Sequence, residues 1–167
     1  AAMFNLPKAL ELALNDGKCL ITGRQLGPHT GTLADFATYE DVEKAFAAQI
    51  DYFFEEMLKA CEKVEEIHQR VLPSAFLSTV INDCIEKGRD VTRGGAHYNL
   101  SGIQAIQVAN VADSLAALKQ LVYQQQRVDR TELLQALRDD FAGREKLALL
   151  LLNKAPKFGN DVEWVDA

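Results

Sequence analysis

The sequence is poor in the residues that most often mark specialised chemistry. Its 167 residues include one tryptophan, two methionines, three cysteines and three histidines. The histidines are His29, His68 and His97, and the cysteines are Cys19, Cys61 and Cys84. Because neither set shows the spacing of zinc ligands, a metal site is not predicted. An odd number of widely separated cysteines indicates free thiols in a reducing cytoplasm rather than a disulfide framework.

Long hydrophobic runs and excess positive charge are also lacking. The longest apolar run, 147–152, is far shorter than the roughly 18 residues that would indicate a membrane-spanning helix. Acidic residues number 24 against 18 lysines and arginines, giving a formal charge of -6. This balance argues against broad nucleic-acid or anionic-membrane binding, since both require a positive field. The 48% hydrophobic content is that of a globular chain with a real core, and no internal domain boundary is evident.

Helical patterns dominate what is present. Asn5, as a cap, predicts a helix to Leu14, and Thr38 followed by acidic residues predicts a long helix that Pro73 ends. Two rows spaced by seven residues form one apolar stripe on that long helix. The rows are Phe46, Phe53, Ala60 and Ile67, and Ile50, Met57, Val64 and Val71. Further helices are predicted over 74–85, 114–123, 131–141 and 144–154. Asn110 or Asp113 is the predicted cap of the second of these, and Asp129 or Arg130-Thr131 that of the third.

One segment, 103–108, alternates in the manner of a β-strand. A single strand cannot form a sheet. The sequence therefore leaves two readings: an all-α domain with an irregular insert, or a strand that pairs with chain outside these residues.

Judged by composition, the segment 89–102 is the best candidate for a functional loop. It contains arginine, aspartate, threonine, histidine, tyrosine and asparagine together with glycines. Such a loop either lines a cleft or satisfies its own hydrogen bonds at the surface, and composition does not separate the two. Cys84 and Cys61 are interpreted as structural. Cys19 lies at a loop edge, a position that leaves both exposure and burial open, and it has no activating His or Asp at motif spacing.

Several strings have a more specific resemblance. They are 83–90 (DCIEKGRD), 94–99 (GGAHYN), 110–119 (NVADSLAALK), 22–28 (TGRQLGP) with Thr30-Gly31, and 157–161 (KFGND). In this order and spacing they resemble the glycyl radical enzyme family. The nearest kinds are the pyruvate formate-lyase-like dehydratases and lyases, which include glycerol, propanediol, choline and hydroxyproline enzymes.

The resemblance implies an α/β fold in which these residues are a helix-rich fragment of a ten-stranded barrel. Residues 1–167 would be an internal portion of that barrel domain. Family members carry a radical-bearing glycine, installed by a radical SAM iron–sulfur activating enzyme, and a cysteine in a GCxE loop whose thiyl radical abstracts hydrogen from substrate. Neither element matches this sequence, so no catalytic residue and no cofactor bound by this segment are assigned.

The resemblance supplies two candidate substrate-pocket residues. Met3 matches a position that faces the pocket in some relatives, and His97 is tested as a polar pocket residue. The expected protein is a cytoplasmic lyase or dehydratase of anaerobic metabolism that eliminates water or an amine from a small polar substrate, with a homodimeric parent. Two alternatives remain open: acyl transfer of the pyruvate formate-lyase type, and a non-catalytic helical interaction module in which the long helix seals an interface.

Overall fold

The computed structural model describes residues 2–166, and in that range helices joined by long loops accompany one pair of short strands. The strands are β1 (Ala2–Asn5) and β2 (Ile103–Ile106). The helices are α1 (Leu6–Leu14), α2 (Tyr39–Val71), α3 (Ala75–Val80), α4 (Val108–Ala117), α5 (Arg130–Arg138), α6 (Glu145–Lys154) and α7 (Glu163–Asp166). A 3₁₀ turn covers Val91–Arg93, and a π-helix, Leu118–Gln124, directly continues α4.

The chain divides into two compact units. The first combines the residues up to Phe4 with 54–104, and the second combines 5–53 with the residues from Ala105 onward. Strands β1 and β2 pair with each other, and the Ala2 amide donates to the Gly102 carbonyl at 3.0 Å. The predicted strand therefore has its partner within the chain. It ends at Ile106 rather than at residue 108, because α4 begins at Val108.

The second unit contains a continuous apolar core. Helix α4 packs against α1, α6 and α7. Helix α1 contributes Leu10 and Leu14, which lie four residues apart on one face and are buried in this core. Each fully buried leucine of this kind contributes about 1.5–3 kcal/mol from the area it removes from water. The core around them includes Leu33, Phe36, Val42, Val111, Leu118, Leu121, Val122 and Leu133.

Local signals set the ends of α1 as predicted. The Asn5 side chain accepts a hydrogen bond from the Lys8 amide at 3.1 Å, and Pro7 lies in the first turn, where its missing N–H costs nothing. After Asn15 the chain turns through Asp16 and Gly17, both in the left-handed region at φ 55° and 73°. This turn ends the helix and starts the long loop that leads to α2.

Helix α2 begins after Thr38, whose amide donates to the Asp41 carboxylate at 2.9 Å. This is one half of the capping box. The predicted apolar stripe is covered only along its first part. Its first members, Phe46, Ile50, Phe53 and Met57, are half-buried. Val64, Ile67 and Val71 are 49%, 48% and 59% exposed.

Three predicted helix boundaries were wrong. Helix α5 ends at Arg138 rather than at residue 141, because Asp140 and Phe141 adopt φ 50° and 57°. Helix α3 ends at Val80 rather than at residue 85, because the chain continues in turns to Asp83, which has φ 74°. Helix α4 begins after Gln107, which adopts φ 63°, so Asn110 and Asp113 lie inside the helix instead of capping it. The Asp113 carboxylate instead accepts from the Phe158 amide at 2.8 Å and holds the segment after α6.

Candidate functional site

The two predicted pocket residues both lie in the first unit. Met3 occupies the middle of β1, where its side chain is 73% exposed between the half-buried Ala2 and Phe4. This alternation follows from the strand, since successive side chains point to opposite faces. His97 follows the Gly94-Gly95 pair in the loop between the 3₁₀ turn and β2, and its side chain is 60% exposed.

An aspartate anchors the loop that carries His97. The Asp90 carboxylate accepts hydrogen bonds from the Thr92 amide and hydroxyl at 2.9 and 2.6 Å. It also accepts from the Ser74 amide at 3.0 Å and from the Ser78 hydroxyl at 2.9 Å. These bonds, from Thr92 first and then from Ser74 and Ser78, lower the pKa of Asp90 to about 2. The loop is thus tied to the start of α3 by an ionised carboxylate.

The glycines then let the chain pass close to itself. Gly94 adopts φ 73°, in the region that side chains disfavour. At Gly95, a Cβ atom would overlap the Arg89 carbonyl, so only glycine fits this approach. The Gly95 amide donates to the Asp90 carbonyl at 3.1 Å. The glycine pair therefore serves backbone packing and positions the residue that follows it.

His97 forms an acid–imidazole pair with Asp83. Its Nδ1 lies 2.9 Å from Asp83 Oδ2, and Lys87 Nζ lies 3.3 Å from the same oxygen. The hydrogen bonds from His97 first, and then from Lys87, lower the pKa of Asp83. An ionised carboxylate can only accept, so Nδ1 carries the hydrogen and, in the neutral ring, Nε2 is left as an acceptor. The ring of Tyr98 stands edge-on at 4.7 Å.

A hollow of about 550 Å³ lies beside this pair. It is lined by Val80, Ile81, Asn82, Asp83, Glu86, Ala96, His97 and Tyr98. Met3 is not among the residues that line it, so this hollow does not bring the two predicted pocket residues together. The arrangement offers one imidazole nitrogen, two carboxylates and a phenol, which suit contact with a small polar molecule and exchange of a proton with it.

The second unit contains a different cavity of about 470 Å³. Its apolar walls include leucine side chains from α1, α5 and α6, together with Phe141. The polar groups at its edge are already bonded: Asn15 accepts from Arg138 at 2.9 Å, and Asp113 accepts from the Phe158 amide. An apolar cavity with occupied polar groups is not suited to a small polar substrate.

The three cysteines are free thiols. Cys84 is buried and Cys61 half-buried, as predicted. Cys19 is buried as well, at 5% exposed, so its place at a loop edge does not leave it open to solvent. Among residues 2–166, no three His, Cys, Asp or Glu side chains are grouped so as to hold a metal ion. No helix in the same range is long and apolar enough to cross a membrane.

The comparisons with known proteins decide the family. The family model described as "Pyruvate formate lyase-like" matches residues 1–167. The chain belongs to this family. The match covers the strings that carried the resemblance to glycyl radical enzymes, and the solved structures that the chain resembles include a glycyl radical enzyme from Archaeoglobus fulgidus, at 35% identity and a TM-score of 0.85.

Individual members of the family are similar over almost the whole chain. Trans-4-hydroxy-L-proline dehydratase of Clostridioides difficile is 40% identical over 97% of this chain. (2S)-3-sulfopropanediol dehydratase of Klebsiella oxytoca is 38% identical over 99% of it. The crystal structure of the C. difficile hydroxyproline dehydratase with its substrate bound superposes with a TM-score of 0.92 over 98% of this chain. The relatives are glycyl radical dehydratases and lyases, which confirms the expected fold: a helix-rich part of their α/β barrel.

The match covers only part of each relative. The chain spans about a fifth of the length of the curated relatives, at 20% for both dehydratases. In the hydroxyproline dehydratase structure it corresponds to 21% of the chain.

The sequence singled out His97, whose role in a pocket stays a prediction, but gave no sign of its partner Asp83. Asp83 lies 14 residues earlier in the chain, and its left-handed backbone is what turns its carboxylate toward the imidazole. No spacing rule reveals that pair. Asp90 had a readable signal, because Asp-x-Thr is a pattern in which the carboxylate bonds the amide two residues later.

Proposed function

We propose that this chain is part of a glycyl radical lyase that eliminates water or an amine from a small polar substrate. The observation that carries the proposal is the similarity over 98% of the chain, at a TM-score of 0.92, to a substrate-bound dehydratase structure. The names of the relatives also favour elimination, since both relatives near 40% identity are called dehydratases. An isethionate sulfite-lyase of Nitratidesulfovibrio vulgaris, at 29% identity, extends the class to other leaving groups.

In this proposal the hydrogen-abstracting thiyl radical and the glycyl radical belong to the complete enzyme. The 167 residues contain no GCxE string, and their cysteines do not match it. A radical SAM activating enzyme would install the glycyl radical, and the complete enzyme would work as a cytoplasmic homodimer. The free state of Cys19, Cys61 and Cys84 suits a reducing compartment.

Within this chain, Met3 and His97 are the proposed substrate-pocket residues. Met3 offers an exposed, adaptable apolar contact at the middle of β1. His97 offers the imidazole nitrogen that its bond to Asp83 leaves available. What this chain contributes is therefore positioning: the strand pair, the Asp90 anchor and the glycine pair fix where these side chains lie.

The test of the reaction class is activation of the complete enzyme under anaerobic conditions. The protein would be treated with a radical SAM activating enzyme and the glycyl radical measured by electron paramagnetic resonance. Hydroxyproline, sulfopropanediol, glycerol, propanediol and choline would then be tested for loss of water or amine. Turnover of one of them supports the proposal. Formate release from pyruvate instead would establish the acyl-transfer alternative, and a full radical signal without any elimination would refute elimination.

The chain offers a matched control for His97. His29 also pairs with an aspartate, since its Nδ1 lies 2.8 Å from Asp16 Oδ2, and it is 72% exposed. His97→Gln should raise KM or lower kcat at unchanged radical content, whereas His29→Gln should leave both unchanged. Equal kinetics for the two variants would remove His97 from the pocket. Met3→Ala, tested in the same way, should shift KM alone.

The exposed second part of α2 favours one other function, a helical interaction module without catalysis. Val64, Ile67 and Val71 continue the apolar stripe at about half exposure. A module of this kind should unfold cooperatively as an isolated chain and remain soluble. A part of a barrel should instead expose apolar surface and aggregate when separated from the rest. A denaturant titration of residues 1–167 followed by light scattering separates the two.

A further inference from the structure

A lysine and a cysteine touch at the start of the second unit. Lys8 lies in the first turn of α1, and Cys19 lies in the turn that follows the helix. Lys8 Nζ is 3.7 Å from Cys19 Sγ. The Lys8 side chain is 34% exposed, whereas Cys19 is 5% exposed.

The groups around the pair favour a thiolate at Cys19 and place the Glu11 carboxylate beside the Lys8 ammonium. Lys8 Nζ donates to Glu11 Oε2 at 2.5 Å, while Glu11 Oε1 accepts from the Leu20 amide at 2.9 Å. Hydrogen bonds from the Thr22 hydroxyl and amide, with a smaller part from the Lys8 charge, lower the pKa of Cys19. Burial is the largest single influence on Lys8 and lowers its pKa, but the hydrogen bonds and charges of Glu11 and Cys19 together leave that pKa raised. The thiolate is the form that oxidants attack.

The backbone holds both partners where they are. The Cys19 amide donates to the Arg24 carbonyl at 3.0 Å, and the Gly23 amide donates to the Cys19 carbonyl at 2.8 Å. On the other side, the Lys8 amide is bonded to the Asn5 cap. Neither backbone segment has to move for the reaction: the flexible four-carbon stem of Lys8 can bring its nitrogen the further ~1 Å toward the sulfur that one bridging oxygen requires.

We propose that Lys8 and Cys19 form an oxygen-bridged, covalent N–O–S cross-link when the protein is exposed to molecular oxygen. Starting from the ammonium and the thiolate, two N–H bonds break, an N–O and an O–S bond form, and the two hydrogens end on the oxygen atom that leaves as water. Molecular oxygen is the oxidant: one of its atoms enters the bridge and the other leaves as water. The four electrons that it accepts come equally from sulfur and nitrogen. Glu11 accepts the proton that the ammonium must lose before nitrogen can bond oxygen. The proposal does not depend on the reaction that the complete enzyme catalyses.

Intact mass measurement tests the cross-link directly. Protein prepared without oxygen would be compared with the same protein after exposure to air, with free thiols alkylated under denaturing conditions. The cross-link adds one oxygen and removes two hydrogens, so a gain of about 14 Da is expected, together with one alkylation fewer. Trypsin should no longer cleave after Lys8, and the peptide that ends at Lys18 should be joined to residues 19–24. A reducing agent should reverse all three changes.

Substitutions identify the partners. Cys19→Ser should abolish the mass gain, and so should Lys8→Arg, which keeps the positive charge but lacks the primary amine. Cys84→Ser should retain it, and this thiol is a suitable control because Cys84 is buried to a similar degree, at 3% exposed. The proposal is overturned if air leaves the wild-type mass unchanged, if Lys8→Arg still gains 14 Da, or if Cys19 gains only oxygen atoms without losing the tryptic site at Lys8.

Discussion

Gln49 contacts Gly27 in the core of the second unit. Its side chain occupies the space that a side chain at position 27 would need. The Gln49 amide nitrogen donates to the Pro28 carbonyl at 2.8 Å and to the Thr30 hydroxyl at 3.1 Å. Its Oε1 is directed at the Gly27 Cα and is buried without a hydrogen-bond partner. One fully buried glutamine thus holds the 22–31 loop against α2.

Gly27→Ala should destabilise the protein by about 1–3 kcal/mol, the usual cost of inserting a methyl group into a packed core. The new Cβ would overlap Gln49 Oε1 and press on the Phe53 ring at 3.0 Å. Urea unfolding followed by circular dichroism measures the change. Gly102→Ala is the control, because no heavy atom lies within 4 Å of its added Cβ. Equal effects of the two substitutions would show that Gln49 does not confine this position.

The sequence predicted the elements whose ends depend on neighbouring residues. Asn5 caps α1 and Asp129 caps α5, and both interactions span at most three residues. It did not reveal Gln49, because the spacing of hydrophobic residues does not predict which polar residue of the same helix is buried. It also placed Asn110 and Asp113 as caps, although the left-handed Gln107 starts α4 earlier.

In the candidate site, too, the contacts that are local in sequence could be predicted and the tertiary ones could not. His97 and Asp90 were visible as polar residues in a glycine-bearing loop, and Asp90 indeed forms the short-range bonds that its pattern favours. The pairing of His97 with Asp83 depends on a left-handed turn and on the way α3 ends. Tertiary structure decides such pairs, and a single sequence carries no local signal for them.

Asp90 should make the stability of the first unit depend on pH in the acid range. Its pKa is about 2 in the folded protein against an ordinary value of 3.8. The folded state therefore binds fewer protons, so the contribution of Asp90 is complete above pH 3.8 and is lost as the pH falls toward 2. Urea unfolding at pH 5 and at pH 2.5 should show this loss. In Asp90→Asn the loss of stability between pH 5 and pH 2.5 should be smaller by the contribution of residue 90. A loss as large as that of the wild type would contradict the assignment.

Asp129→Ala should cost about 1 kcal/mol by removing the cap of α5. The Asp129 carboxylate accepts from the Thr131 and Glu132 amides, both at 2.9 Å, and these donors have no helical partner. Asp129→Asn keeps an acceptor oxygen and should be nearly neutral. Thermal unfolding of the three proteins measures the difference. If Asn is as damaging as Ala, the charge rather than the cap geometry is responsible.

Lys119→Met should destabilise the second unit by about 1–2 kcal/mol through the loss of two cation–π contacts. Lys119 Nζ lies 5.2 Å from the centre of the Tyr39 ring and 5.1 Å from that of Trp164. It thereby joins the π-helix to the first residue of α2 and to α7. Methionine keeps most of the apolar chain, so the loss reports the charge rather than the packing.

The fluorescence of Trp164, the single tryptophan, gives a direct measure of this contact during urea unfolding. Lys119→Arg should retain most of the stability, because a guanidinium also stacks on aromatic rings. Lys146→Met removes an exposed lysine on α6 and controls for the change in net charge. A Lys119→Met protein as stable as Lys146→Met would show that the two rings gain nothing from the ammonium group. If instead Lys119→Arg is as unstable as Lys119→Met, the site requires the compact ammonium rather than any cation.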